Sequence, residues 1–235
     1  RSLRDLWPRL DHAPARTVDA WRARDARRLA GFRHRWVGPD GLSLVLAGLR
    51  RLRRRHGSLR AYLVAVDDPA DPDLARTLAR FVDGLRREVI SAARVSREGD
   101  LPLGARTFLS DPARGGACKR LNLYVRWLVR PDDGVDLGLA PTIPPARLVV
   151  PLDTHVARIS RHLGLTRRRT VDWKMATEVT EALRGLDPED PVRYDFALSR
   201  LGILDACPRR VDPARCRTCS LVPVCTLGGR SHVGP

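Results

Sequence analysis

The spacing of the apolar residues is the feature of this sequence that most constrains its fold. Along most of the chain they recur every three to four positions, which is the period of an amphipathic helix. Strict alternation of apolar and polar residues, typical of a half-buried strand, is nearly lacking. The sequence therefore predicts an all-α protein. The apolar stripes cover residues 42–52, 74–89, 121–128, 156–163, 176–186 and 194–201, with Gly or Pro at the breaks.

The length and composition limit the class of protein. A chain of 235 residues forms one large domain or two small ones, and a hydrophobic fraction of 43% is enough to bury a core. A disordered chain is therefore excluded. No apolar run approaches the roughly 18 residues of a membrane span, and the polar N-terminal sequence does not resemble a signal peptide. We expect a cytoplasmic protein.

The charge balance indicates an anionic partner. The chain has 43 Lys and Arg against 27 Asp and Glu, a net charge of +16. A GC-rich genome raises the Arg content but does not explain the excess of basic over acidic residues. Such a field attracts polyanions, of which nucleic acid is the commonest, although a ribosomal or membrane surface is also consistent with it.

Only two of the basic residues are lysines, Lys119 and Lys174. An arginine stays protonated and cannot act as a nucleophile, whereas a lysine amine can lose its proton and attack a carbon atom. A retained lysine therefore suggests a chemical task, although two lysines also have to fall somewhere by chance.

Four of the five cysteines form a C-terminal cluster with the spacing C-x8-C-x2-C-x5-C. Close spacing in a cytoplasmic protein favours metal ligation over disulfides. Zinc sites usually pair two C-x2-C knuckles, and this sequence has one, so the spacing favours a 4Fe–4S cluster, with zinc as the less favoured alternative. The candidate ligands are Cys207, Cys216, Cys219 and Cys225.

This cysteine loop resembles the C-terminal loop of endonuclease III and its adenine-glycosylase relatives, written C-x6-C-x2-C-x5-C, with two more residues in the first gap. In that family the cluster is structural, and the basic loop between its ligands contacts DNA phosphate. The resemblance places Arg209 and Arg210 in that role, together with Arg215 and Arg217.

Two further segments resemble the helix–hairpin–helix DNA glycosylase superfamily. Residues 115–122 (GGACKRLN) are similar to its hairpin, and residues 151–158 (PLDTHVAR) to the segment that carries its catalytic carboxylate. The resemblance covers residues 104–225 and extends to a bacterial branch of the superfamily. It places Lys119 at the position of the family's nucleophile and Asp153 at that of its catalytic carboxylate.

The sequence departs from the superfamily pattern at three places. Ala117 replaces the second hairpin glycine, and Ala-Arg replaces the preceding Leu-Pro. Lys119 and Asp153 are 34 positions apart, a longer separation than in endonuclease III. Residues 131–151, which contain five prolines, account for it, and we expect them to form an ordered loop between two helices.

The residue types suit these roles. A hairpin that leads into a helix offers unpaired N–H groups to phosphate without reading the base sequence. Neighbouring cations and burial would favour a neutral Lys119 amine, which can attack C1′ of a nucleotide. Asp153 could stabilise the developing charge on the sugar or help to deprotonate Lys119. The predicted DNA contacts are Arg114, Gly115, Gly116, Ala117, Arg120, His155, Arg158, Arg209 and Arg210.

Together the resemblances imply a two-lobed, all-α helix–hairpin–helix glycosylase with a C-terminal 4Fe–4S loop. The predicted regions are an N-terminal helical part (residues 1–103), the catalytic helices (104–206), the cluster loop (207–225) and a frayed tail (226–235). The implied activity is excision of a damaged, oxidised base from duplex DNA, with strand cleavage through a lysine Schiff base. We expect a monomer associated with the nucleoid.

Several alternatives remain open. Lys119 can be a phosphate ligand only, and Asp153 a plain helix cap. The protein can be a glycosylase without lyase activity, a non-catalytic DNA-binding iron–sulfur protein, or a redox or RNA-modifying protein. A flipped base would need stacking partners. Single aromatics on helical stripes usually belong to the core, and we expect this of most of Trp36, Phe108, Tyr124, Trp127 and Trp173.

Overall fold

The computed structural model describes residues 3–210 and 212–227, without the side chain of residue 3. Helices account for 57% of the structure, and the described part contains no β-strand. An isolated antiparallel bridge joins His34 and Val37. The all-α prediction is therefore confirmed. Of the predicted tail, residues 228–235 lie outside the described ranges.

The chain divides into two compact units. The N-terminal unit runs to Asp68 and includes Ala75–Asp111, and the C-terminal unit comprises Pro69–Leu74 and the chain from Pro112 onward. The domain limits expected at residues 103, 206 and 225 stay predictions. None of the helices in the described ranges is long and apolar enough to cross a membrane.

The N-terminal unit is built around two long helices, on which the predicted stripes at 42–52 and 74–89 lie. Its helices are α1 (Leu6–Arg9), α2 (Pro14–Ala20), α3 (Pro39–His56), α4 (Leu59–Ala65), α5 (Ala75–Ala93) and α6 (Leu103–Arg106). Helix α3 begins with a proline at its first position, where no N–H is needed, and ends at Gly57, whose φ is +77°.

Small residues let the two long helices of this unit approach closely. A Cβ atom at Gly48 on α3 would lie 2.7 Å from a methyl group of Val89 on α5, which is fully buried. The other side of α3 faces a second apolar group, and burial of this surface drives the unit to fold. That group comprises Leu10, Val18, Trp21, Leu29, Phe32, Val37, Leu42 and Leu46.

The C-terminal unit carries the other four predicted stripes. Its helices are α7 (Lys119–Val129), α8 (Thr154–His162), α9 (Trp173–Arg184), α10 (Asp195–Ile203) and α11 (Pro213–Arg217). Between α7 and α8, the only helical part of the predicted loop is the 3-10 turn Pro145–Arg147. The loop is ordered, as predicted, because the N–H groups of Leu137 and Ala140 donate to carbonyls of α7 at 2.7 Å.

Two of the aromatic residues expected in the core are exposed. Trp173 is buried and Phe108 packs against the N-terminal core, but the exposed fractions of Trp36 and Trp127 are 69% and 41%. These two residues are exceptions to the expectation that most of the five aromatics lie in the core: Trp36 is in the turn after His34, and Trp127 is on the exposed side of α7.

Candidate active site and cysteine loop

The hairpin before α7 is shaped by two residues in the left-handed backbone region. Gly115 has a φ of +78°, which glycine adopts without strain, and Cys118 has a φ of +50° directly before the helix. The second left-handed position thus falls on Cys118 and not on Ala117. Ala117 is therefore not required to adopt a positive φ.

The hairpin is held from both sides. The carbonyl of Gly115 accepts a hydrogen bond from the backbone N–H of Trp173 at 3.0 Å, at the start of α9. The buried side chain of Asn122 donates to the carbonyl of Ala117 at 3.4 Å. The hairpin is therefore fixed in the C-terminal unit before any ligand binds.

One part of the helix–hairpin–helix resemblance is not reproduced. The motif implies a full helix ahead of the glycines, but the chain there forms only the 3-10 turn Pro112–Arg114. Proline at residue 112 and the glycines after residue 114 leave too few consecutive helix-forming positions for a longer helix.

Asp153 uses its two carboxylate oxygens for two different contacts. Its Oδ1 accepts the backbone N–H groups of His155 and Val156 at 2.8 and 2.9 Å, which caps α8. Its Oδ2 accepts from Nζ of Lys119 at 2.8 Å. Asp153 therefore caps α8, and the same side chain also contacts Lys119, which lies 34 positions away in sequence.

The electrostatics of this pair keep the carboxylate charged. Burial raises the pKa of Asp153, but the hydrogen bonds from Lys119 and from the first turn of α8 outweigh burial and hold it below its usual value. The side chains of Lys119 and Asp153 are 44% and 16% exposed. The expected burial of the amine is therefore wrong: Lys119 lies at the surface, open to a large substrate.

An acidic residue that the sequence did not reveal lies behind the pair. Asp195, at the start of α10, is 3% exposed and accepts from Arg126 at 2.9 Å. Burial raises its pKa to about 6, against the opposing effect of Arg126, and the charges of Asp153 and Lys119 also act on it. In sequence, Asp195 is indistinguishable from an ordinary acidic residue in a first helical turn.

Arg126 joins this carboxylate to a second one. Its side chain is 3% exposed and also donates to Asp136 at 3.1 Å, which in turn contacts Arg130. Arg130 reaches Asp190 at 2.8 Å. This buried ionic network ties α7, the loop after it and α10 together behind the Lys119–Asp153 pair. Removing one member would leave a buried charge without its partner.

The predicted DNA-contacting residues have different surroundings. His155 packs against α10, where a Cβ at Gly202 would lie 2.6 Å from its Nδ1. Arg158 donates through Nη1 to the carbonyl of Pro208 at 2.7 Å, which anchors the cysteine loop to α8. Arg114 and Arg120 are exposed, and Arg120 directly follows Lys119 in the sequence. The role of all these residues in binding DNA stays a prediction.

The four clustered cysteines line one pocket of the C-terminal unit. Its other walls are mainly apolar and come from α8, α10 and the loop itself. Within the described ranges none of the cysteines forms a disulfide, and no group of three or more His, Cys, Asp or Glu side chains has the arrangement of a metal site. The four cysteines nevertheless line the same pocket.

Four thiols in an apolar pocket suit a 4Fe–4S cluster and suit zinc as well, so the preference for the cluster stays a prediction from the cysteine spacing. His162 was missed by the sequence reasoning, although its Nδ1 lies 3.6 Å from Sγ of Cys207. No spacing rule links a residue on α8 to a loop 45 positions later.

The basic residues of the cysteine loop divide into two groups. Arg209, Arg210 and Arg217 are exposed. Arg215 is ion-paired with Asp205 at 2.8 Å and with Asp212 at 3.3 Å. Arg215 therefore helps to shape the loop, whereas the other three face solvent.

The sequence profile of a family described as "Protein of unknown function (DUF2400)" matches residues 1–204. The chain belongs to this family. The match includes Lys119, Asp153 and Asp195 and ends before Cys207, the first cysteine of the loop. No curated protein and no solved structure matches the chain.

Proposed function

We propose that the protein is a DNA-repair glycosylase that excises a damaged, oxidised base from duplex DNA and then cleaves the abasic site through Lys119. The proposal includes the two-lobed helix–hairpin–helix architecture and a 4Fe–4S cluster, and a monomer that acts on DNA in the cytoplasm. The net charge of +16 supports a polyanionic partner.

The observation that carries the proposal is the 2.8 Å contact between Nζ of Lys119 and Oδ2 of Asp153. The family resemblance alone assigns these residues to one reaction, and they are 34 positions apart in sequence. Surface ion pairs of this kind also occur without catalysis, but the proposed reaction requires this one. An amine and a carboxylate acting on one sugar carbon must lie side by side.

The chemistry needs a neutral amine at the moment of attack, so the proton that Lys119 holds in its ion pair with Asp153 first passes to solvent, to which the lysine side chain is 44% exposed. The lone pair of Nζ forms a bond to C1′ while the glycosidic bond breaks, and the departing base takes that electron pair and a proton. Opening of the sugar ring gives a Schiff base. Loss of a C2′ proton then expels the 3′ phosphate and cuts the strand.

The lowered pKa of Asp153 favours one of its two possible roles. A carboxylate held in its charged form is a weak proton acceptor but stabilises positive charge on the sugar as the base leaves. The cap contacts to His155 and Val156 fix the carboxylate, so it needs no reorganisation during the reaction. We therefore assign Asp153 to electrostatic stabilisation and to positioning Lys119.

Cys207, Cys216, Cys219 and Cys225 would hold the cluster. Its contribution would be structural, since it would cross-link the loop that carries Arg209, Arg210 and Arg217. These residues would contact phosphates, while the hairpin N–H groups after Gly115 would bind the backbone near the lesion.

Borohydride trapping on duplexes that carry oxidised bases tests the proposal, because borohydride reduces a Schiff base to a stable adduct. The wild type should trap on at least one lesion, and Lys119→Gln should not. Lys119→Arg keeps the charge but cannot form a Schiff base, so it should bind DNA without trapping. Lys174→Gln, the matched control at the other lysine, should trap like the wild type.

Three results would contradict parts of the proposal. A wild-type protein that traps on no lesion of a broad panel has no lysine lyase activity. If it also releases no base, as judged by alkaline cleavage of the product, it is not a glycosylase. Trapping by Lys119→Gln at the wild-type level would remove Lys119 from the reaction.

A further inference from the structure

The N-terminal unit contains a polar pocket that the proposed repair reaction does not use. It lies between α2, the 3-10 segment Ala23–Leu29 and the face of α3 that carries Arg50, and its volume is about 300 Å³. Four arginines and two aspartates contribute to its walls, which gives an excess of two positive charges. They are Arg22, Arg24, Arg28, Arg50, Asp19 and Asp25.

The two aspartates are already occupied by contacts within the protein. Both carboxylate oxygens of Asp19 accept from Arg53, at 2.6 and 2.8 Å. Asp25 accepts the backbone N–H of Arg22 at 2.8 Å. The acidic groups therefore offer little attraction to a cation, and the field inside the pocket is positive.

Some N–H groups of the pocket arginines bind other parts of the protein, and others are available to bind a ligand. Nε of Arg50 donates to the backbone carbonyl of Asp19 at 3.1 Å, which orients its guanidinium toward the pocket and leaves both Nη groups without a partner in the described part of the chain. Arg24 has no hydrogen bond or ion pair among the described residues. The backbone of the 3-10 segment is fixed by Arg9, which donates to the carbonyl of Arg28 at 2.7 Å.

We propose that this pocket binds the phosphate group of a phosphate ester. Guanidinium groups form paired, charge-assisted hydrogen bonds with phosphate oxygens, and Arg24 and Arg50 supply such donors from two elements. The volume lies at the lower end of the range for ligand sites, and the polar walls do not suit an apolar ligand. No aromatic residue lines the pocket, so the phosphate, and not a base, is recognised.

Calorimetric titration with inorganic phosphate, at an ionic strength held constant with NaCl, tests the site directly. The wild type should bind phosphate with a saturable isotherm and a stoichiometry of one. Arg24→Gln and Arg50→Gln should each weaken binding by about tenfold, since each removes a charge-assisted contact. Arg87→Gln is the matched control: its side chain is 73% exposed on α5, outside the pocket, and the substitution changes the net charge equally.

If Arg87→Gln weakens phosphate binding as much as Arg24→Gln and Arg50→Gln do, the effect is one of net charge, and the proposal is overturned. Wild-type affinity in both pocket variants would also overturn it. Absence of saturable binding by the wild type would also overturn it. Far-ultraviolet circular dichroism checks that each variant is folded, and Arg24, which has no described partner, should tolerate its substitution without loss of helix content.

Two further titrations identify the source of the phosphate. If the ligand is a small phosphate ester, AMP should bind at least as tightly as inorganic phosphate, with the same dependence on Arg24. If it is the end of a nucleic acid, a 5′-phosphorylated oligonucleotide should bind more tightly than its 5′-hydroxyl form, and Arg24→Gln should abolish that difference. Neither result depends on Lys119 or on the cysteine loop.

Discussion

Substitutions at Asp153 separate the two contacts that its carboxylate makes. Asparagine is as good a helix cap as aspartate, so Asp153→Asn should keep the contacts to His155 and Val156 and lose only the ion pair with Lys119. With Lys119 44% exposed, solvent screens that pair, and its loss should lower the free energy of unfolding by no more than about 1 kcal/mol. Asp153→Ala also loses the cap, for a total of about 2 kcal/mol.

Urea denaturation of the wild type and the two variants measures these differences. The gap between the asparagine and alanine variants, about 1 kcal/mol, isolates the cap. Asp153→Asn should therefore remain folded while releasing base more slowly, because the charge that stabilises the sugar is gone. Equal loss of stability in both variants would refute the assignment of the cap to this side chain. An unchanged rate of base release in Asp153→Asn would refute its catalytic role.

Two further predictions concern the buried acid and the cysteines. Because burial raises the pKa of Asp195 to about 6, the folded state binds a proton that the unfolded state has released, so stability should fall by up to about 3 kcal/mol between roughly pH 4 and pH 7. Chemical denaturation over that range should show a flatter profile for Asp195→Asn, and a profile parallel to that of the wild type would contradict the raised pKa. Cys219→Ser should lose bound iron and visible absorbance in anaerobically purified protein, whereas Cys118→Ser, outside the loop, should keep both. Full retention of iron by Cys219→Ser would exclude the predicted ligand set.

The helical architecture could be predicted because burial imposes a period on the sequence. The apolar stripes at residues 42–52 and 121–128, for example, show which face of α3 and of α7 packs against the rest of the protein. The breaks were equally legible, since proline begins α3 and Gly57 follows its end. The outward orientation of Trp36 could not be predicted, because the sequence of a short turn does not distinguish an exposed aromatic residue from a buried one.

The candidate site was predicted only as far as residue types and family resemblance reach. They identified Lys119 and Asp153, whose Nζ and Oδ2 atoms lie 2.8 Å apart in the structure. Asp195 could not be identified from the sequence, because its environment depends on Arg126 and on the loop that contains Asp136. Both lie far from Asp195 in the sequence. The left-handed Cys118 was also hidden, since a cysteine gives no sign of a positive φ.

The central claim is that Lys119 forms a covalent bond to a sugar carbon of damaged DNA. Tandem mass spectrometry of the proteolysed, borohydride-reduced complex tests it most directly, because it identifies the modified amine. The account predicts that the sugar remnant lies on the peptide containing Lys119. A remnant on Lys174 or on any other amine, with Lys119 unmodified, would contradict it.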